Sequence, residues 1–168
     1  ALQGRTRILS WALVDDRGRK IVDVLEAETD AAERALLGRF FDAVREIDVL
    51  LAWSGEGFDF PVLQQRSHAL RVRMSNGNAP IWNRWCWLDA MAVYKKYNQA
   101  HDSGEERASF SLNAIANHIL GEGKDEFDSS RTWQAWKAGG EERERLARYN
   151  LRDTELMPMI EAKTGFVA

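Results

Sequence analysis

Cysteine is almost missing from this chain. Cys86 stands alone, which excludes an internal disulfide, and one thiol with His68, His101 and His118 at no ligand spacing excludes a Cys/His zinc site. A reducing compartment is expected. No apolar run reaches membrane-spanning length and no signal-peptide layout is visible, so the expectation is a soluble, cytoplasmic protein without a membrane partner. An excess of positive charge is lacking too, since 23 lysines and arginines face 26 acids for a net charge of −3. Proteins that grip duplex nucleic acid by bulk electrostatics tend to be basic. A nuclease is not excluded, however, because bound divalent cations can supply the positive charge that meets phosphate in an acidic enzyme. Repeats, low-complexity tracts and linkers are also absent. A hydrophobic share of 45% suffices for one globular core, so a single domain over residues 1–168 is expected.

Hydrophobic patterning predicts an α/β order. Residues Arg7–Val14 and Lys20–Leu25 read as a hairpin around Asp15-Asp16-Arg17-Gly18. Thr29 or Asp30 caps a helix whose Ala32, Leu36, Leu37, Phe40, Phe41 and Val44 recur at helical spacing and which ends near Glu46. The continuous apolar run Asp48–Trp53 predicts a strand buried on both faces. Pro61 suits the first turn of a helix reaching Val72, and Ser75–Pro80 breaks it. Ile81–Leu88 predicts another strand, followed by a helix through Tyr97 that Asp89 can cap, and then a polar loop from Asn98 to Arg107. Three further helices are predicted: Ser111–Leu120 closed by Gly121, Trp133–Lys137 closed by Gly139-Gly140, and Glu141–Ala162. The strands should form one mixed sheet flanked by helices.

Two segments carry candidate chemistry. Trp53-Ser-Gly-Glu-Gly-Phe58-Asp59-Phe60-Pro61 lies where a buried strand ends and a helix begins, the place where open α/β sheets build their sites. Taken alone, an Asp before Pro at a helix start is more often a cap than a metal ligand. In Tyr149-Asn-Leu-Arg-Asp153 the i, i+4 spacing puts a phenol and a carboxylate on one helix face. That pair alone is more often a half-buried ring beside a solvated charge.

Together the segments resemble the proofreading 3′→5′ exonuclease domain of family B DNA polymerases, the DEDDy type of the RNase H-like superfamily. Phe58-Asp59-Phe60-Pro61 looks like the second exonuclease motif, and Tyr149 with Asp153 like the tyrosine form of the third. The likeness extends through Ala32–Leu63, through Ser111-Leu112 to Lys124, and through Trp133–Trp136 ahead of Arg148–Asp153, essentially the whole chain. The resemblance implies an RNase H-like fold and hydrolysis of single-stranded DNA from its 3′ end, releasing nucleoside monophosphates in replication or repair. It implies two Mg²⁺ or Mn²⁺ ions as cofactors. Asp153 would bind the metal that activates water, Asp59 would hold the second, and Tyr149 would orient the nucleophile. Ser54, Phe58 and Phe60 would meet the substrate, although packing in the core is the stronger reading for both rings. A polymerase or replication partner is implied, and RNA is not excluded as a substrate.

The family's first motif, Asp-x-Glu on the first strand, has no counterpart here: Ala1–Thr6 holds no acid. Leu25-Glu26-Ala27-Glu28-Thr29 imitates it but falls directly before the first helix, out of register with everything downstream. Asp15 and Asp16 are better turn residues. The expectation is a sheet lacking its first strand, in a fragment of a complete exonuclease. The alternative is a catalytically incomplete RNase H-like module that binds nucleic acid or protein. Ser54 also replaces an asparagine usual in the family. The aromatic run Trp82–Trp87 reads as packing at a sheet edge rather than base stacking, Arg66, Arg71 and Arg73 as phosphate contacts or a solvated face, and Glu122, Lys124 and Asp125 as a surface loop.

Overall fold

The computed structural model describes residues 7–72, 85–101, 109–123 and 127–167. The chain divides into two compact units, one of residues up to Ser10 with Val24–Asp89, the other of Trp11–Asp23 with the chain from Ala90 onward.

Two strands, β1 (Ser10–Val14) and β2 (Lys20–Val24), form the expected hairpin as a sheet of their own. Its turn is organised by Asp15, whose carboxylate accepts from the amides of Arg17 (3.0 Å) and Arg19 (2.8 Å) and pairs with the Arg19 side chain. These hydrogen bonds, above all that from the Arg19 amide, hold the Asp15 carboxyl below the usual carboxylate range.

In the first unit, helix α1 (Asp30–Ala43) begins at Thr29, whose hydroxyl accepts from the Ala32 amide at 3.1 Å, so Thr29 is the cap rather than part of a motif. Strand β3 (Val49–Ala52) pairs in parallel with β4 (Cys86–Asp89), Leu50 opposite Trp87 and Ala52 opposite Asp89. Helix α2 (Asp59–Ala69) follows β3. Leu25, Leu36, Leu37, Val44, Leu50 and Leu70 are buried here. Trp85 stacks on Phe41 at 5.9 Å and donates its ring N–H to the Val44 carbonyl, so it packs as expected of the run 82–87, whose Trp82 and Arg84 lie outside the described residues.

Two expectations are corrected. The strands do not join into one mixed sheet among the described residues, which hold two separate two-stranded sheets. Strand β3 is also not buried on both faces: Leu50 is buried while Val49 is 46% exposed, because a two-stranded sheet offers little to cover it. Helices α1 and α2 are held instead by a buried ion pair. Arg66 donates from Nε to Glu33 Oε1 (2.7 Å) and from Nη2 to Oε2 (2.6 Å). Glu33 is completely buried and takes further bonds from Arg7 Nη1 and the Ile8 amide, both at 3.0 Å. Arg66 therefore neither tracks phosphate nor lies on a solvated face, and its guanidinium is held above its ordinary pKa by Glu33. Arg71 is exposed, and Arg73 lies outside the described residues.

The second unit is helical apart from the hairpin: α3 (Ala90–His101), α4 (Leu112–Leu120), α5 (Thr132–Ala138) and α6 (Gly140–Thr164), with a 3₁₀ turn at Ser129–Arg131. Ser111 caps α4 through the Ala114 amide, and Gly121 ends it at φ 75°, a left-handed conformation that suits glycine. Helix α6 packs against α4 and α5, burying Leu146, Leu156 and Ile160, with Tyr94 against Phe166.

Replacing Arg66 by Ala strands the buried Glu33 carboxylate and should cost about 3–5 kcal/mol in urea unfolding, whereas replacing both partners by Met should cost less. Equal losses would show that packing, not the charge pair, joins α1 to α2. Because the folded Asp15 pKa is depressed, its contribution is complete above the unfolded value near 3.8 and is lost as pH falls through the folded one. Asp15→Asn should therefore lower thermal stability at neutral pH, and the gap from the parent should close as the solution is acidified below that value.

Candidate functional site

The C-terminal ends of β3 and β4 lie side by side, and the loop leaving β3 carries the first candidate segment. Three features shape that loop. Ser54 adopts φ 62°, a region strained for most side chains, and the Gly57 amide returns to its carbonyl at 3.2 Å. An asparagine, expected here from the family resemblance, enters that region more readily than serine. Gly55 is buried, and a Cβ on it would come within 2.7 Å of Phe60 Cζ and 2.8 Å of Ala52 Cβ, so only glycine fits. Phe60 in turn meets Trp87 edge to face, ring centroids 4.5 Å apart.

Asp89, at the end of β4, completes the arrangement. Its carboxylate, 7% exposed, accepts from the amides of Ser54 and Glu56, each at 3.2 Å. The sequence suggested only a local helix cap for this residue. Its cross-strand reach became visible once the parallel register placed it opposite Ala52.

The loop delivers Phe58 as the residue that caps α2 and Asp59 as the first residue within it. Asp59 is thus not the N-cap, which was its competing local role, and its exposed carboxylate stands in the first turn, where the helix dipole favours negative charge. Phe58 is 66% exposed and does not join the core, whereas Phe60 does pack. Ser54, Phe58, Asp59 and Phe60 are therefore brought together in one segment of the first unit.

Tyr149 and Asp153 belong to α6 in the second unit, one turn apart on one face and both part-buried. The Tyr149 ring stacks on Phe127 with centroids 4.8 Å apart, and the Arg145 guanidinium stands 6.0 Å from the Phe127 centroid. Nothing in the sequence singled out Phe127. Arg152, between the two candidates, is spent on Glu122 (3.0 Å), so that Glu122 has a structural partner, while Lys124 and Asp125 lie outside the described residues. A cleft of about 360 Å³ beside Phe127 is lined by Arg131 and Arg145 but equally by Asp128 and Glu142, a balanced charge with no preference for anions.

Among the described residues no group of three or more His, Cys, Asp or Glu is gathered to hold a metal ion. Asp59 and Asp153 are donors of the right kind for Mg²⁺ or Mn²⁺, hard oxygen ligands, but neither has a full set about it. No described helix is long and apolar enough to cross a membrane.

The chain as a whole resembles known proteins. A family described as "Predicted 3'-5' exonuclease related to the exonuclease domain of PolB" matches residues 3–155. DNA polymerase 1 of Pyrococcus abyssi is 25% identical over 169 residues, covering 91% of this chain and 22% of the polymerase. The DNA polymerase of Thermococcus gorgonarius is 28% identical over 165 residues, covering 89% of this chain and 21% of its own. That of Thermococcus sp. (strain 9oN-7) is 28% identical over 161 residues, covering 89% and 19%. The chain thus spans between 19% and 22% of the length of these three relatives.

Adding one methyl group at Gly55 should displace Phe60 from Trp87. Gly55→Ala is expected to cost about 1–3 kcal/mol and to change the near-ultraviolet circular dichroism of the aromatic cluster. An unaltered spectrum at unaltered stability would mean that the loop is not tightly packed on the ring.

Proposed function

We propose, because this chain belongs to the family of predicted 3′-5′ exonucleases related to the exonuclease domain of PolB, that it removes nucleotides from a single-stranded DNA 3′ end in proofreading or repair. The observation that supports this reading above the rest is the extent of the family match. Residues 3–155 take in both Phe58-Asp59-Phe60-Pro61 and the Tyr149, Asp153 pair.

The roles follow the resemblance residue by residue. Asp153 and Asp59 would each hold one Mg²⁺ or Mn²⁺, and such ions make water a better nucleophile and stabilise the departing oxygen. The exposed Asp59 can meet a hydrated cation without a desolvation cost. Tyr149, held by its stack on Phe127, presents a phenol that can orient a water molecule. Phe58 offers an exposed ring to a terminal base, and Ser54 lies in the same loop. Phe60 serves by packing. The Asp-x-Glu pair of the family's first motif would complete the ligand set, and the described residues hold no group that replaces it. A polymerase partner is consistent with the relatives' names.

Digestion of 3′-labelled and 5′-labelled single strands, DNA and RNA, with Mn²⁺ tests the reading, with EDTA and Asp59→Ala as controls, on this chain and on any longer form of the same protein. Stepwise release from the 3′ end that EDTA abolishes is expected. Asp153→Ala should reduce it by roughly 10²-fold or more with the thermal midpoint unchanged. Unchanged cleavage in that variant sinks the assignment. No cleavage by any folded, metal-supplied form favours the binding module instead.

A further inference from the structure

We infer that Asp89 is a positioning residue for the Asp59 segment, a role that rests on the exonuclease reading and assigns it to a side chain outside the motifs.

Asp89 ends β4, one strand away from the loop, and its two carboxylate oxygens are divided between two loop amides. Oδ1 accepts from Ser54 and Oδ2 from Glu56, each at 3.2 Å. One carboxylate thus spans the loop on either side of Gly55, whose own amide reaches back to Ala52 at 3.4 Å. The Phe60 amide bonds to the Gly55 carbonyl at 2.9 Å, so a short path links the anchored amides to the first turn of α2.

The group is costly where it stands. Asp89 is buried, and a buried carboxylate is retained only where its oxygens are satisfied. The loop has a matching cost, because Ser54 is held at φ 62°. Strain of that kind persists only where the surroundings over-determine it. Asp89 supplies that determination from one side and the Phe60 ring over Gly55 from the other. The loop residues Glu56–Asp59 themselves are exposed, so burial of their own side chains does not fix them. The pair of anchored amides fixes the base from which they project.

The consequence concerns metal binding at Asp59. A carboxylate on a loose loop can still meet a cation, but only after the loop is ordered, which weakens the apparent affinity. Asp89→Ala should therefore weaken the Mn²⁺ response of Asp59 while leaving α2 and the parallel strand pair in place. Asp89→Asn, which keeps one carboxyl-type oxygen, should fall between the two.

Two measurements on the full chain decide this: amide hydrogen exchange at Ser54 and Glu56, and Mn²⁺-induced broadening of the Phe58–Phe60 amide resonances. In Asp89→Ala the two amides should exchange roughly 10–100-fold faster, and the Mn²⁺ midpoint should rise by a similar factor. Asp89→Asn should restore part of both. Circular dichroism screens for folding, and Asp89→Asn keeps the inference testable if Asp89→Ala is unfolded. Unchanged exchange in both variants overturns the inference. So does faster exchange with an unchanged Mn²⁺ midpoint, which would leave a structural hydrogen bond only. Asp59→Ala separates the two levels: if it leaves the Mn²⁺ broadening unaltered, the ion does not sit at Asp59 and the metal role proposed for Asp59 fails, whereas exchange at Ser54 and Glu56 still reports the anchor itself.

Discussion

The carboxylate of Glu33 is the constraint on which the first unit turns. It is completely buried on α1 and receives Arg66 of α2 in a two-pronged contact, with Arg7 and the Ile8 amide filling its remaining acceptor capacity. Burying two charges costs several kcal/mol per ion, roughly balanced by their attraction when every lone pair is satisfied. The pair therefore contributes little net stability and much specificity: any shift of α2 along α1 leaves a charge unpaired in the interior. Since Asp59 begins α2 and Arg66 lies two turns further on, the orientation of the helix that presents Asp59 is set by this contact.

That contact governs the helix, while the loop before it is governed by backbone geometry. Gly55 admits the Phe60 ring, Phe60 leans on Trp87, and Asp89 secures the amides of Ser54 and Glu56. The loop is thus determined from beneath while its upper residues, Phe58 and Asp59, stay in solvent. A rigid base with exposed tips is a sound arrangement for groups that must meet a ligand without first being ordered. It also accounts for the contrast between Phe60, committed to packing, and Phe58, two residues earlier, exposed for contact.

Much of this was readable beforehand, for physical reasons that differ by element. Helices α1 and α4 carry local signals, a hydroxyl cap at Thr29 and Ser111 and a left-handed glycine at Gly121, so the start of α1 and both ends of α4 lie where expected, whereas α1 ends at Ala43, short of Glu46, where no such signal stands. The Asp15 turn was equally local. Strand β3 departs from expectation because a continuous apolar run reports hydrophobicity and not the number of covered faces, and Val49 is exposed. Arg66 departs from expectation for a related reason. A cation on a helix looks solvated until its partner is known, and Glu33 lies 33 residues away in the chain. The candidate site shows the same division. Asp59, Tyr149 and Asp153 could be picked out by motif, but Asp89 and Phe127 act through contacts across strands and between segments that no local pattern encodes.

The charge balance acquires a meaning on the proposed reading. An acidic chain that acts on a polyanion cannot rely on its overall field, and here two arginines on the helices that carry the candidate residues are paired with acids: Arg66 with Glu33, and Arg152 with Glu122. Divalent ions held by carboxylates would then supply local attraction as well as reactivity. Affinity for the strand end would be coupled to metal occupancy, and the exposed Phe58 ring would add a contact that salt does not screen. On that reading, strong binding would be confined to the place where chemistry occurs. A chain with a broad basic face would hold internal phosphates equally well, whereas an acidic one with metal-held charge would favour the single end that can enter its site.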